Sequence, residues 1–220
     1  MLQGGYILNS YNNLTITAHT GCENTSDNSI ESVIKAYECS ADIFEADIRF
    51  DKNGTPILTH DEPVGGEMTL EDAFIKLAEY KNMRFNIDIK CTDNMKSIAA
   101  LAKKHNVTDR IFYTGINDDF VAATKETPGI PYYLNCEIAP ACEQDNEYIS
   151  SLVNKVKSSG AIGINCNHSN VTKELVDAFH NAGLLVSVWT CNEKADMLRM
   201  LELRPDNITT RFPSVLKELI

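Results

Sequence analysis

From residue 14 onward the chain repeats one unit, a short run rich in β-branched and aromatic residues followed by a stretch with helical apolar spacing. Eight such runs stand out: Leu14–His19, Ile43–Ile48, Phe85–Lys90, Arg110–Thr114, Tyr132–Glu137, Ile162–Asn165, Leu185–Thr190 and Asn207–Thr210. Helical patterns follow them, among others over Asn28–Ser40, Thr69–Tyr80, Met95–His105, Glu147–Lys157, Thr172–Asn181 and Lys194–Leu203. Gly160 and Gly183 fall where helices should stop, and Pro213 falls in the first turn of the last one. Eight strands each followed by a helix predict an α/β fold of the closed (β/α)8 TIM barrel type. The competing open, doubly wound sheet would be expected to show a Gly-x-Gly-x-x-Gly turn after a strand, and none is present. A chain of 220 residues is long enough for one full core, so a single domain is expected over residues 1–220.

One segment breaks the alternation. Between Asp47 and His60, Lys52-Asn53-Gly54 is a turn signal flanked by β-rich residues. A parallel crossover needs a dozen or more residues and usually a helix, so the piece over 48–60 reads as a hairpin excursion. Going out and back returns His60 to the barrel end where Asp47 finishes. The next stretch, residues 61–68, is too short for an inserted subdomain.

Alternation also places the chemistry. Glu45 and Asp47 lie two residues apart on one strand and share a face; on the next, Asn86, Asp88 and Lys90 alternate with Phe85, Ile87 and Ile89. Three carboxylates near barrel strand ends could hold a hard divalent cation, Mg2+ or Ca2+, through oxygen ligands. A salt-bridge network around Lys90 would account for the same spacing. His19 ends the first strand and His60 ends the hairpin, so the two imidazoles meet the carboxylates at one rim. Such a pair suits phosphoryl transfer, one ring taking the attacking hydroxyl's proton and the other protonating the leaving oxygen.

The net charge of −11 argues against nucleic acid as a partner, because such recognition begins with a basic face. It also means that a phosphate must be received by a local cation rather than by the field of the whole protein. No apolar run is long enough to span a bilayer, and the opening Met-Leu-Gln-Gly-Gly-Tyr does not read as a signal peptide. Seven dispersed cysteines without a Cys-x-x-Cys pair read as reduced thiols, which places the protein in the cytoplasm. Asn-x-Ser/Thr triplets such as those at Asn24 and Asn167 are what chance yields in a chain rich in Asn and Thr.

Taken in order, His19-Thr20-Gly21, Glu45-Ala46-Asp47, His60-Asp61, Asn86-Ile87-Asp88-Ile89-Lys90, Val188-Trp189-Thr190-Cys191-Asn192 and Asp206 to Pro213 resemble the motifs of the glycerophosphodiester phosphodiesterase family. The resemblance runs nearly the full length. It implies His19 and His60 as the acid/base pair and Glu45, Asp47 and Asp88 as ligands of Mg2+ or Ca2+. Lys90 would lie on the phosphate and Trp189 would line the pocket. It further implies cleavage of a small-molecule glycerophosphodiester to an alcohol and glycerol 3-phosphate, an adjacent glycerol hydroxyl attacking first to give a cyclic phosphate.

The departures from that pattern are specific. Glu23-Asn24-Thr25 imitates the family's Glu-Asn-Thr, but the interval back from Glu45 falls on Asp27-Asn28-Ser29, which also carries the helix-capping residues. Thr20 replaces the family's arginine, while Arg211 stands where the family has aspartate. The eighth strand of a closed barrel neighbours the first, so Arg211 is expected to supply the missing guanidinium. The short 61–68 stretch is similar to that of spider-venom-type phospholipases D, which also use Asp-x-Lys. Two alternatives follow: a phospholipase D-like enzyme giving a cyclic phosphate from lysolipids, and a catalytically weak ligand-binding barrel. Glu137, Asn165, Asn167 and His168 fall at strand ends, where barrel sites are built; a solvent-facing loop role is expected for His168. His105 and His180 sit late in helices, where the dipole favours them.

Overall fold

The computed structural model describes residues 14–140, 142 and 145–220. Residues 1–13, from which the lack of a signal peptide is read, lie outside these, as does that part of the 1–220 domain span. The strands are β1 (Thr15–Ala18), β2 (Ile43–Phe50), β3 (Pro56–Leu58), β4 (Arg84–Ile89), β5 (Ile111–Ile116), β6 (Tyr132–Asn135), β7 (Gly163–Asn167), β8 (Leu185–Trp189) and β9 (Asn207–Thr210). All but β3 run parallel, and β9 pairs with β1 to close an eight-stranded (β/α)8 barrel. The helices are α1 (Ile30–Glu38), α2 (Leu70–Glu79), α3 (Met95–Lys104), α4 (Val121–Thr124), α5 (Asn146–Ser159), α6 (Lys173–Asn181), α7 (Lys194–Leu203) and α8 (Pro213–Lys217).

Each strand divides its side chains between two environments. On β2, Phe44, Ala46 and Ile48 are buried in the apolar layer beneath the helices, while Glu45 and Asp47 line the barrel interior. Ile43, Phe112 and Tyr133 form a separate apolar floor, with the Arg84 guanidinium 4.9 Å from the Phe112 ring centre. Above this floor the interior is polar. Asn207 accepts from Thr17 Oγ1 (2.7 Å) and donates to Ser187 Oγ (3.0 Å), and Asn165 donates to Asn135 Oδ1 (3.1 Å). Such a lumen is stable only because its groups bond one another across strands.

The helix ends follow from their residues. Ser29 caps α1 by accepting from the Ser32 N–H, and Thr69 and Asp72 form a reciprocal capping box on α2. Pro213 occupies the first turn of α8. β3 pairs antiparallel with β2, Ile48 opposite Leu58, around a turn in which Asp51 Oδ1 accepts from the Asn53 and Thr55 N–H groups (both 2.8 Å). The Thr59 N–H then donates to the Asp47 carbonyl (3.0 Å), which pins the return arm beside the end of β2. Residues 61–68 contain neither helix nor strand.

Gly115 joins this frame to the rim. The β5–β6 register shifts between Tyr113 and Ile116, and Gly115 turns there with φ +73°. A Cβ at this position would stand 2.3 Å from the Ile89 carbonyl oxygen and 2.7 Å from the Ile89 nitrogen. Gly115→Ala should therefore push back the strand carrying Asp88 and Lys90. We expect a loss of roughly 2–3 kcal/mol in unfolding free energy, measured by urea denaturation; an unchanged midpoint would show that the backbone yields freely there.

Candidate active site

A cavity of about 700 Å3 opens at the barrel end where the strands finish, lined among others by His19, Glu45, Asp47, His60, Asp88, Lys90, Trp189 and Arg211. The eight candidate residues read from the sequence thus share one space. Register accounts for the acidic wall: Glu45 lies opposite Asn86, and Asp47 opposite Asp88. One oxygen from each of Glu45, Asp47 and Asp88 falls within 4.8 Å of the others.

Each carboxylate is oriented by a neutral donor on a different element. The Thr20 N–H donates to Glu45 Oε2 (3.0 Å), the Asn28 amide to Asp47 Oδ2 (3.0 Å) and the Thr114 hydroxyl to Asp88 Oδ1 (2.7 Å). Asn28 Oδ1 also accepts from the Asp47 N–H (3.0 Å), so the loop before α1 is locked to β2 from both sides. The Lys90 ammonium bridges Asp47 Oδ1 (3.0 Å) and Asp88 Oδ2 (2.6 Å). Burial alone would depress the Lys90 pKa, but the Asp88 and Asp47 charges outweigh it and hold Lys90 well above the ordinary lysine value. Ionised, the lining carries Asp27, Glu45, Asp47 and Asp88 against Lys90 and Arg211 alone, an excess of negative charge that would repel a phosphodiester. The donors are all oxygens and orientation is supplied by neighbouring groups, which fits a hard divalent cation.

The two histidines are oriented differently. His19 Nδ1 lies 2.8 Å from the Thr20 carbonyl oxygen, which can only accept; the proton therefore sits on Nδ1, and in the neutral ring Nε2 keeps its lone pair. Glu45 Oε2 lies 3.8 Å from the same nitrogen. His60 Nδ1 pairs with Asp61 Oδ1 (2.9 Å) and is the more exposed of the two. Its carbonyl accepts from Arg49 Nε (2.9 Å), while Arg49 Nη1 holds Glu62 (2.6 Å). The return arm is thus fastened to β2 by side chain as well as backbone.

Arg211 follows β9 and faces the cavity in a two-pronged pair with Asp27 (2.6 and 3.2 Å). Thr20 is buried, and its hydroxyl accepts from the Asn28 N–H. Glu23 turns to the Ser214 N–H (2.9 Å) at the start of α8 and does not line the cavity, whereas Asp27 and Asn28 act at the site. Trp189 lines the cavity, its indole N–H buried and without a partner among the described residues. Asn165 is buried in the lining. Asn167 instead caps a short 3-10 turn, and Glu137 is exposed outside the cavity. His168 departs from the expected solvent-facing role: its side chain is 14% exposed and 3.6 Å from Asp196, and desolvation lowers its pKa. Arg199, bonded to the His168 carbonyl (2.6 Å), packs the loop inward. His105 and His180 gain more than a dipole, since each binds a carboxylate: Glu71 (2.8 Å) and Asp206 (2.9 Å) respectively. Thr114, Asn117, Phe120 and Asn135 also line the cavity, and no charge or motif marks them in the sequence. For Thr114 and Asn135 the period-two alternation with Phe112 and Tyr133 was the available signal.

Residues 63–215 match the profile described as the Glycerophosphoryl diester phosphodiesterase family. A glycerophosphodiester phosphodiesterase of Caldanaerobacter subterraneus is 26% identical over 242 residues, covering 93% of this chain and 97% of the relative. Among solved structures, a putative glycerophosphoryl diester phosphodiesterase from Silicibacter pomeroyi superposes with a TM-score of 0.79 at 18% identity, covering 94% of this chain and 92% of that one. An Oleispira antarctica phosphodiesterase, solved in complex with the product sn-glycerol-3-phosphate, superposes with a TM-score of 0.78 at 17% identity, covering 93% and 95%.

Burial pushes the Glu45 carboxyl up to about 7; His19 opposes this, while Asp47 and Asp88 add to it. The unfolded value is near 4.5, so across this window the folded state keeps a proton that the unfolded state has released. The stabilising contribution is therefore present below about 4.5 and is lost as the pH rises through about 7. Cation binding needs the ionised form, which reverses the dependence. In chelator, Glu45→Gln should flatten the fall in Tm between about pH 5 and pH 8. Added Mg2+ or Ca2+ should raise Tm strongly at the upper pH and little at the lower; a pH-independent rise would remove Glu45 from the ligand set.

Proposed function

The chain belongs to the glycerophosphoryl diester phosphodiesterase family of phosphoric diester hydrolases, and on that footing we propose that it cleaves glycerophosphodiesters to an alcohol and glycerol 3-phosphate with the help of a divalent cation. The observation that carries this reading is the meeting in one cavity of two histidines with Nδ1 already engaged and a carboxylate trio in excess of the local cations. The product complex of the Oleispira relative supports the substrate class.

Glu45, Asp47 and Asp88 would hold Mg2+ or Ca2+, which when bound offsets the negative charge and polarises the phosphoryl oxygens. Lys90 spends two of its three N–H donors on Asp47 and Asp88 and keeps one for a phosphate oxygen. Arg211 supplies the second cation, in place of the arginine whose position Thr20 occupies. Trp189 lines the substrate cavity. His19 and His60 work in opposite protonation states through Nε2: the neutral ring takes the proton of the attacking hydroxyl, and the charged ring gives one to the departing alcohol. A glycerol hydroxyl beside the phosphate is the attacking group; it displaces the alcohol and gives a cyclic phosphate, which water then opens to glycerol 3-phosphate. We read the enzyme as a single barrel unit and place it in the cytoplasm. All seven cysteines are free, and no helix among the described residues is long and apolar enough to cross a membrane.

The decisive measurement is turnover of glycerophosphocholine and of bis(p-nitrophenyl) phosphate with Mg2+, Mn2+ or Ca2+, wild type against His19→Ala. We expect a loss of about 100- to 10,000-fold in kcat for His19→Ala, and slow turnover of bis(p-nitrophenyl) phosphate, which lacks the neighbouring hydroxyl. Equal metal-dependent rates in the two proteins would end the two-histidine reading.

A further inference from the structure

The geometry points to Asp27 as a positioning residue: seated over Gly21, it holds the Arg211 guanidinium at the cavity so that its free N–H edge meets the substrate phosphate. The inference rests on the phosphodiesterase reading above.

Asp27 and Arg211 are 184 positions apart and meet only because β9 closes onto β1. The pairing is fork to fork, Nη1 to Oδ1 at 2.6 Å and Nη2 to Oδ2 at 3.2 Å, and it fixes the plane of the guanidinium. It uses two of five N–H donors, and among the described residues the others have no acceptor. Both side chains line the catalytic cavity. The Arg211 backbone is held as well: its N–H donates to Asn192 Oδ1 (2.9 Å), and its carbonyl accepts from the Glu23 N–H (2.8 Å).

Gly21 makes room for the pair. Its φ is +71°, and a Cβ there would lie 2.0 Å from Asp27 Oδ1 and 2.4 Å from Arg211 Nη1. The ion pair thus occupies the volume of the missing side chain. Asn28, the next residue after Asp27, is tied to Asp47 by two hydrogen bonds. One dipeptide therefore registers the guanidinium against the proposed cation ligands.

Stability does not account for this construction. Arg211 is 34% exposed and Asp27 54%, and pairs so exposed contribute little to folding. Charge alone points the opposite way. Asp27 cancels the field of Arg211, so an electrostatic view has its removal tighten anion binding, whereas a positioning role has its removal loosen it. The two readings differ in sign.

The test uses wild type, Asp27→Asn, Asp27→Glu, Arg211→Met and the Asp27→Asn/Arg211→Met double variant. Each is measured for KM and kcat on glycerophosphocholine with saturating Mg2+, and by calorimetry for binding of glycerol 3-phosphate. Asp27→Asn should raise KM and weaken product binding about tenfold, with kcat and Tm changing little. Asp27→Glu should recover part of the loss, and Asp27→Asn should add nothing once Arg211 is gone. Unchanged or tighter binding in Asp27→Asn, or additive losses in the double variant, would overturn the inference. A wild type that binds glycerol 3-phosphate without turning over diester would instead fail the phosphodiesterase reading, and the binding comparison would still decide the role of Asp27.

Discussion

Three carboxylates crowded at the inner rim of a barrel are the constraint around which the rest is arranged. Glu45 and Asp47 are almost fully buried, and with Asp88 they would repel one another and lose hydration unless opposite charge and hydrogen bonds answered both costs. Lys90 answers the first. The second is met from three directions, by Thr20 at the end of β1, Asn28 before α1 and Thr114 on β5. None of these donors carries charge, so each orients an oxygen without cancelling the negative potential that a cation would answer. The same need explains why the lumen below is amide and hydroxyl rather than hydrocarbon: an apolar layer there would deepen the desolvation that already raises Glu45.

Much of this was legible because strand alternation is a strict rule. Glu45 and Asp47, or Asp88 and Lys90, cannot be on one strand face without sharing a space, and a segment too short for a crossover has to return where it began. The six helices named from periodicity all formed, with ends displaced by no more than a residue or two. Discounting Glu23-Asn24-Thr25 in favour of Asp27-Asn28-Ser29 rests on the interval back from Glu45 and on capping, and Ser29 is the cap of α1. Less legible is what carries no charge or depends on distant parts of the chain. Thr114 and Asn135 occupy inward positions that alternation marks, but they are uncharged and nothing sets them apart from structural polar residues. The Asp27 contact to Arg211 depends on ring closure, which no local pattern reports. For His168 the expected solvent-facing role fails because Arg199 from α7 reaches across and bonds the loop carbonyls, leaving the ring half-buried.

The cavity is asymmetric in charge. Strands β1, β2 and β4 and the β3 return arm supply the histidines, carboxylates and lysine, while the β5–β8 side offers Asn117, Phe120, Asn135, Asn165 and Trp189, none of which is charged. Each functional group of the first wall is held by a second residue. His60 is the least supported; its ring reaches the cavity from a hairpin arm, and among the described residues Asp61 alone bonds the ring. Beside it residues 61–68 add no helix or strand, and a second hollow of about 650 Å3, lined in part by Leu58, His60, Asp61 and Met68, opens on that flank. An acid/base group must be within reach of its proton, but nothing here requires a wall behind it. In the proposed reading the groups that would act on the phosphate, His60 apart, are fixed by the closed barrel itself, whereas the alcohol beyond the leaving oxygen would meet an open surface, where selection has to come from the neutral far wall.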